Sequence, residues 1–189
     1  DYIPRDNNHP YRPAIIFRMA EAYLSYAEAL NESSERMSHK QEILDNLNKI
    51  RHRAGIAEYG TGTDENGFTR IKINFSDQKE VRRLIHKERR VEFVGEGVRY
   101  HDLRRWKTAH YGIGNLNEQG ENPDWGVNGP DYGMNYYGTE YTDQGDNAFF
   151  KRTKYMDRVY PRKFYWYPIH QSEIDKDPTL VQGPFWLGE

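Results

Sequence analysis

The chain has no cysteine among its 189 residues, so it has neither a disulfide framework nor a thiolate metal site, and its redox compartment cannot be read from cysteine usage. It also lacks any apolar run near the roughly 20 residues of a membrane helix, and its mean hydropathy is −1.04. There is no excess charge of either sign: 27 Lys and Arg face 29 Asp and Glu, for a net charge of −2. That balance provides no electrostatic footprint for nucleic acid or for an anionic membrane surface. No phosphate loop, dinucleotide fingerprint or nucleophile elbow occurs, and Gly112-Ile113-Gly114 lacks the strand-to-helix context that would give it meaning. No cofactor is expected. The seven histidines are scattered, with no His-x-x-x-His or Glu-x-x-His helical pair, so surface histidines are the default reading.

What the chain does have is aromatic. Only 36% of its residues are hydrophobic, yet 14% are aromatic, including 15 Tyr and 4 Trp, and that content argues against disorder. At 22.5 kDa the expectation is one domain, residues 1–189, packed largely by rings. The start, DYIPRDNNHP, has neither an initiator Met nor a signal-peptide pattern, and the chain reads as a fragment of a longer one.

Apolar residues at Ile16, Met19, Ala20, Tyr23, Ala27 and Leu30 have helical spacing and predict a helix from Ala14 to Asn31. A polar turn leads to a second helix over Lys40–Ala54, with Ile43, Leu47 and Ile50 inward and Gly55 suited to the left-handed position after the end. The two should form an antiparallel hairpin resembling one tetratricopeptide unit, which needs neighbours to bury its face. Between Tyr59 and Phe75 a Gly- and Asn-rich loop and a short strand at IKINF are expected. Asp64-Glu65-Asn66-Gly67 is not an EF-hand, because that register puts Gly62 and Ile73 at ligand positions one and twelve. Asp77 and Glu80 have capping-box spacing and open a third helix, which Gly95 and Gly97 interrupt before a shorter fourth at Arg99–Thr108.

That third helix places charge where a helix is normally apolar. In EVRRLIHKERRVEFVGEGVRYHDLRRW (80–106), Val81, Leu84, Ile85, Val91 and Gly95 share a face, and Glu88 and Glu92 point the same way. A carboxylate buried alone costs several kcal/mol, so each acid should meet an arginine from among Arg18, Arg51, Arg53, Arg99, Arg104 and Arg105. A structural ion-pair network is expected, with Glu88, Glu92, Arg18, Arg99 and Asp102 as its members. Paired carboxylates also invite a glycosidase reading, but neighbouring arginines hold both as anions and a core-facing pair cannot reach a sugar. No catalytic residue is assigned.

These same residues carry a family resemblance. Glu88-Arg89, Glu92-Phe93, Glu96-Gly97, Arg99 and Asp102-Leu103-Arg104-Arg105-Trp106 resemble the signature of SusD/RagB outer-membrane nutrient-binding proteins. FRMAEAYLSYAEALNE (17–32) and LNKIRHRAGI (47–56) resemble the preceding helices, and YWYPIHQSEIDKDPTLVQGPFW resembles the family's closing pattern. There His170 replaces a second proline, Asp177 an asparagine, and Gly183-Pro184-Phe185 the usual Asn-Pro-Gly. The resemblance implies a mainly α fold of tetratricopeptide-like hairpins with long irregular loops and a few short strands, a portion of the SusD-like α-α superhelix. The chain would be the C-terminal part of a lipoprotein, without its N-terminal repeats and lipid anchor. The implied function is non-enzymatic binding of an oligosaccharide at the outer-membrane surface of a Bacteroidetes cell, for delivery to a SusC-like TonB-dependent transporter. Two alternatives stand beside it: a docking module whose ligand site lies elsewhere, and capture of another nutrient such as peptide.

The stretch from His110 to Asn147 has no sustained period and reads as a long functional loop. Its Trp125, Tyr132, Tyr136, Tyr137 and Tyr141, interleaved with acids such as Asp131, suit sugar recognition, since a pyranose stacks its C–H face on a ring while its hydroxyls seek planar polar groups. These six are the candidate ligand residues, against the plainer reading that the rings anchor the loop. Asp143 and Asp146, with Asn147, offer oxygens to a calcium ion, against a solvated acidic turn as the ordinary reading. From Phe149 to Tyr167 alternating aromatic and basic residues predict a strand pair.

Overall fold

A computed structural model describes residues 15–112, 126–138 and 148–186. The chain divides into two compact units, 1–92 and 93–189. The first contains three helices, α1 (Met19–Glu32), α2 (Lys40–Arg53) and α3 (Gln78–Glu92). The second contains α4 (Val98–Arg105), β1 (Gly129–Met134), β2 (Arg152–Arg158), a 3₁₀ turn at Arg162–Tyr165 and α5 (Gln171–Lys176). The mainly helical expectation holds.

In the first unit α1 packs against both α2 and α3. Ala20, Leu24, Ala27 and Leu30 of α1, Ile43, Leu47 and Ile50 of α2, and Val81 and Ile85 of α3 are buried and form its core. Helix α1 starts five residues later than its pattern predicted. Residues 15–18 are not helical, and Ile16, expected inward, is 96% exposed. Met19 is exposed too, and Leu24 takes the buried place that Tyr23 was expected to hold. With no core to meet, Ile15–Phe17 gain nothing to offset the entropy of helix formation.

Helix α2 ends as its sequence predicts. Gly55 has φ +67°, its N–H donates to the His52 carbonyl at 3.0 Å, and Ile56 N–H reaches the Arg51 carbonyl at 3.1 Å, together a Schellman motif. Asp77 caps α3 by accepting from Lys79 N–H at 2.9 Å and Glu80 N–H at 3.3 Å. Its own N–H donates to the Asn74 carbonyl, the bond that the reciprocal Glu80 arm would otherwise make. Val91 and Gly95 leave the predicted inward face. Val91 is 62% exposed, because it lies roughly 80° around from Val81 at about 100° per residue, and Gly95 lies beyond the helix end.

The expected strand at 71–75 reduces to isolated bridges, Tyr59 to Ile71 and Thr63 to Thr69. Asp64 organises this segment. One carboxylate oxygen accepts from Asn66 and Phe68 N–H at 3.0 and 2.8 Å, and the other from Glu58 N–H at 3.2 Å. Burial pushes the Asp64 carboxyl up, but the N–H groups of Phe68, Glu58 and Asn66 and the nearby Arg70 charge outweigh that and hold it below its usual range. A depressed folded-state pKa means the stabilisation is present above the unfolded value near ~3.9 and is lost as pH falls through the folded value. Acid titration of stability should therefore steepen below about pH 4, and Asp64→Asn should flatten that limb in urea melts across pH.

In the second unit α4 stops at Arg105, short of the predicted Thr108. Lys107 adopts φ +57°, and Thr108 N–H closes on the Leu103 carbonyl at 3.0 Å. Strands β1 and β2 pair antiparallel, with the register shifting between Asp131 and Tyr132. The segment read as one long loop thus contains a strand, and the partner of β2 comes from there rather than from within 149–167. In the tail, the Gln182 amide brackets Ile169, accepting its N–H and donating to its carbonyl, both at 2.8 Å. His170 accepts from Ser172 N–H at the start of α5, and Asp177 accepts from Thr179 N–H at 2.9 Å. Two of the three tail departures are therefore accommodated by local side-chain bonds.

Candidate functional site

The acids of α3 occupy the interior of the first unit. Glu88 is 5% exposed and accepts from Arg51 at 2.6 Å and from the Tyr59 hydroxyl at 2.8 Å. Arg51 stacks on the Tyr59 ring at 4.3 Å and donates to the Ala57 carbonyl at 2.5 Å, so each member of the triad holds another. Burial and the adjacent Glu88 carboxylate push the Tyr59 hydroxyl far above its usual range, and it stays a proton donor. Glu92 takes Arg18 and Arg53 on one carboxylate oxygen. Asp102, on α4, is buried and accepts from Arg105 at 3.1 Å, while the Arg99 guanidinium lies 5.8 Å from the Trp106 ring.

The second unit carries the exposed aromatic surface. Gly126 to Asn128 dock on the turn that follows α4: Gly126, Val127 and Asn128 N–H donate to the carbonyls of Gly112, Ala109 and Tyr111 at 3.0–3.1 Å. At the far end of β1, Asn135 exchanges backbone bonds with Lys151 and Phe150. Of the predicted ligand residues, Asp131, Tyr132, Tyr136 and Tyr137 lie among the described residues, on or just beyond β1.

Asp131 faces β2, where its two oxygens accept from the Tyr155 hydroxyl and from Arg158, each at 2.8 Å. The bond to Asp131, then its charge, raises the Tyr155 hydroxyl pKa. Tyr132 lies under the Arg152 guanidinium at 4.1 Å. Tyr136 meets Tyr137, Phe149 and Phe150, and the two phenylalanines meet each other, in a cluster with ring centroids 4.6–6.4 Å apart. Tyr137 is 91% exposed, Tyr136 69% and Phe150 50%, and Phe150 is held at φ +59°. Phe149 and Phe150 are not among the predicted residues; they lie 13 and 14 positions from Tyr136, and only the strand pairing brings them beside it. Trp125, Tyr141, Asp143, Asp146 and Asn147 lie outside the described residues. No cluster of potential metal ligands occurs among the described residues.

Comparison with known proteins accounts for both units. The fold is similar to that of a SusD-like protein from Bacteroides fragilis, with a TM-score of 0.59 and 27% identity over 91% of this chain and 26% of that one. SusD-like protein P38 of Formosa agariphila is 32% identical over 103 residues, or 54% of this chain, and SusD-like protein P25 of the same organism is 33% identical over 106, or 56%. The chain spans only 19% and 17% of those two relatives. The model of the SusD family matches residues 5–186, both the charged helix and the bracketed tail, and the chain therefore belongs to that family.

Proposed function

We propose that this chain is the C-terminal portion of a nutrient-binding protein on the outer-membrane surface of a Bacteroidetes cell. It binds glycan without breaking a bond and serves delivery to a SusC-like TonB-dependent transporter. Family membership supports the general role. The observation that carries the glycan reading is the exposed cluster of Tyr136, Tyr137, Phe149 and Phe150 at the end of the β1–β2 ribbon. Burying large ring area in contact with water is favourable, and the C–H faces of pyranoses supply a surface to cover it. Glu88 and Glu92, held by arginines, fit a scaffold rather than an acid–base pair.

A glycan array followed by calorimetry on this chain and on its longer parent tests the reading. Binding by the chain is expected, and Tyr136→Ala with Tyr137→Ala should weaken it roughly tenfold, about 1.4 kcal/mol, with the fold intact. Unchanged affinity in that double variant removes the ring cluster from the site. Binding by the parent alone favours the docking-module reading, in which the ligand site lies elsewhere in the protein.

A further inference from the structure

The first unit contains a cleft of about 470 Å³ between α2 and the segment that follows it. Its volume lies within the roughly 300–1,000 Å³ typical of small-molecule sites. Gln41, Leu44, Asp45 and Asn48 form one wall, at the i, i+3, i+4 and i+7 positions of a single helix face. The other wall comes from Glu58–Thr61 and from Arg70, Lys72, Ile73 and Phe75.

The cleft is held open by bonds that do not need a ligand. The Asn48 amide accepts from Tyr59 N–H at 2.8 Å and donates to the Tyr59 carbonyl at 2.9 Å, fixing the loop to α2. Glu58 is buried and takes Arg70 on one oxygen at 2.8 and 3.2 Å. Gly60, at φ +134°, leaves room for the Arg70 stem, which would lie 3.3 Å from an added Cβ.

Once Glu58 and Arg70 are matched, one charge remains on each wall. Asp45 on α2 has one oxygen engaged by Gln41 at 2.7 Å and a second facing no protein partner among the described residues. Lys72, across the cleft, makes no ion pair among them. Apolar surface from Leu44, Ile73 and Phe75 lies within the same lining. Opposite charges on opposite walls, with no net charge, disfavour an anion or a cation and orient a dipole. We infer that this cleft binds a zwitterionic small molecule of amino-acid or dipeptide size, its ammonium toward Asp45, its carboxylate toward Lys72 and its side chains on the apolar strip.

The inference is independent of the ring cluster in the second unit. Titrating the labelled chain with leucyl-leucine, with its N-acetylated amide and with maltose, and following backbone amide shifts by NMR, tests it. Leucyl-leucine should produce saturable shifts at Asn48, Gly60, Thr61 and Lys72, and the derivative without charged ends should not. Asp45→Asn and Lys72→Gln, both at surface positions, should each weaken binding tenfold or more while leaving the spectrum folded. Tyr136→Ala with Tyr137→Ala should leave it unchanged. Absence of saturable shifts overturns the site; equal response to the uncharged derivative or to maltose overturns the ligand class.

Discussion

Glu88→Gln should lower unfolding stability by about 3–5 kcal/mol, because it removes the charge that matches Arg51 inside the first unit. The side chain of Arg51 is only 10% exposed, so water cannot take over the lost interaction. Tyr59 loses its strong acceptor at the same time, and the stacked Arg51–Tyr59 pair loses the group that both donate to. Urea denaturation followed by far-UV circular dichroism measures the change; a variant as stable as the unmodified chain would refute the structural role of this acid. Glu92→Gln should cost less, since Arg53 is 63% exposed and is readily hydrated. Replacing Glu88 and Arg51 together by leucines should cost less than the sum of the single changes, because neither charge is then stranded.

Gly126→Ala should be nearly as damaging, and for a purely geometric reason. An added Cβ would lie 1.8 Å from the Tyr111 carbonyl oxygen and 2.8 Å from that of Thr108, both backbone atoms that cannot swing aside. Relieving the overlap must part Gly126–Asn128 from the turn that follows α4, breaking three backbone hydrogen bonds at about 1 kcal/mol each, or about 3 kcal/mol in all. Amide exchange should show the loss as faster exchange at Gly126, Val127 and Asn128, with α1–α3 of the first unit unaffected. Protection equal to that of the unmodified chain at those three amides would rule out this close approach.

Much of the fold was legible because its signals are local. The inward face of α2, the Gly55 ending and the Asp77 cap each depend on residues within one or two turns, where periodicity and capping chemistry apply directly. The misplaced start of α1 shows the limit: Ile15, Ile16 and Phe17 look like core residues in the sequence, yet only a neighbouring surface could make them so. Val91 failed for a related reason, since a face estimated at 100° per residue is wide and packing uses only part of it. The candidate site was legible in type more than in position. Tyrosines are anticipated at 132, 136 and 137, but the phenylalanines that pack on Tyr136 are not, because strand pairing across residues far apart in sequence carries no local mark.

From the order of residues alone it follows that two glutamates face the interior of a helical unit, that arginines must meet them, that the chain has no thiol chemistry, and that its motifs are those of the SusD family. Packing in three dimensions assigns Arg51 to Glu88 and both Arg18 and Arg53 to Glu92, pairs β2 with a strand from the glycine-rich segment, and opens a cleft between α2 and the following loop. The division has a physical basis. Burying a charge demands a partner whatever the fold, so the demand is written in the helix itself. Which of several arginines meets it depends on which backbone segments come together in space, and local periodicity does not encode that.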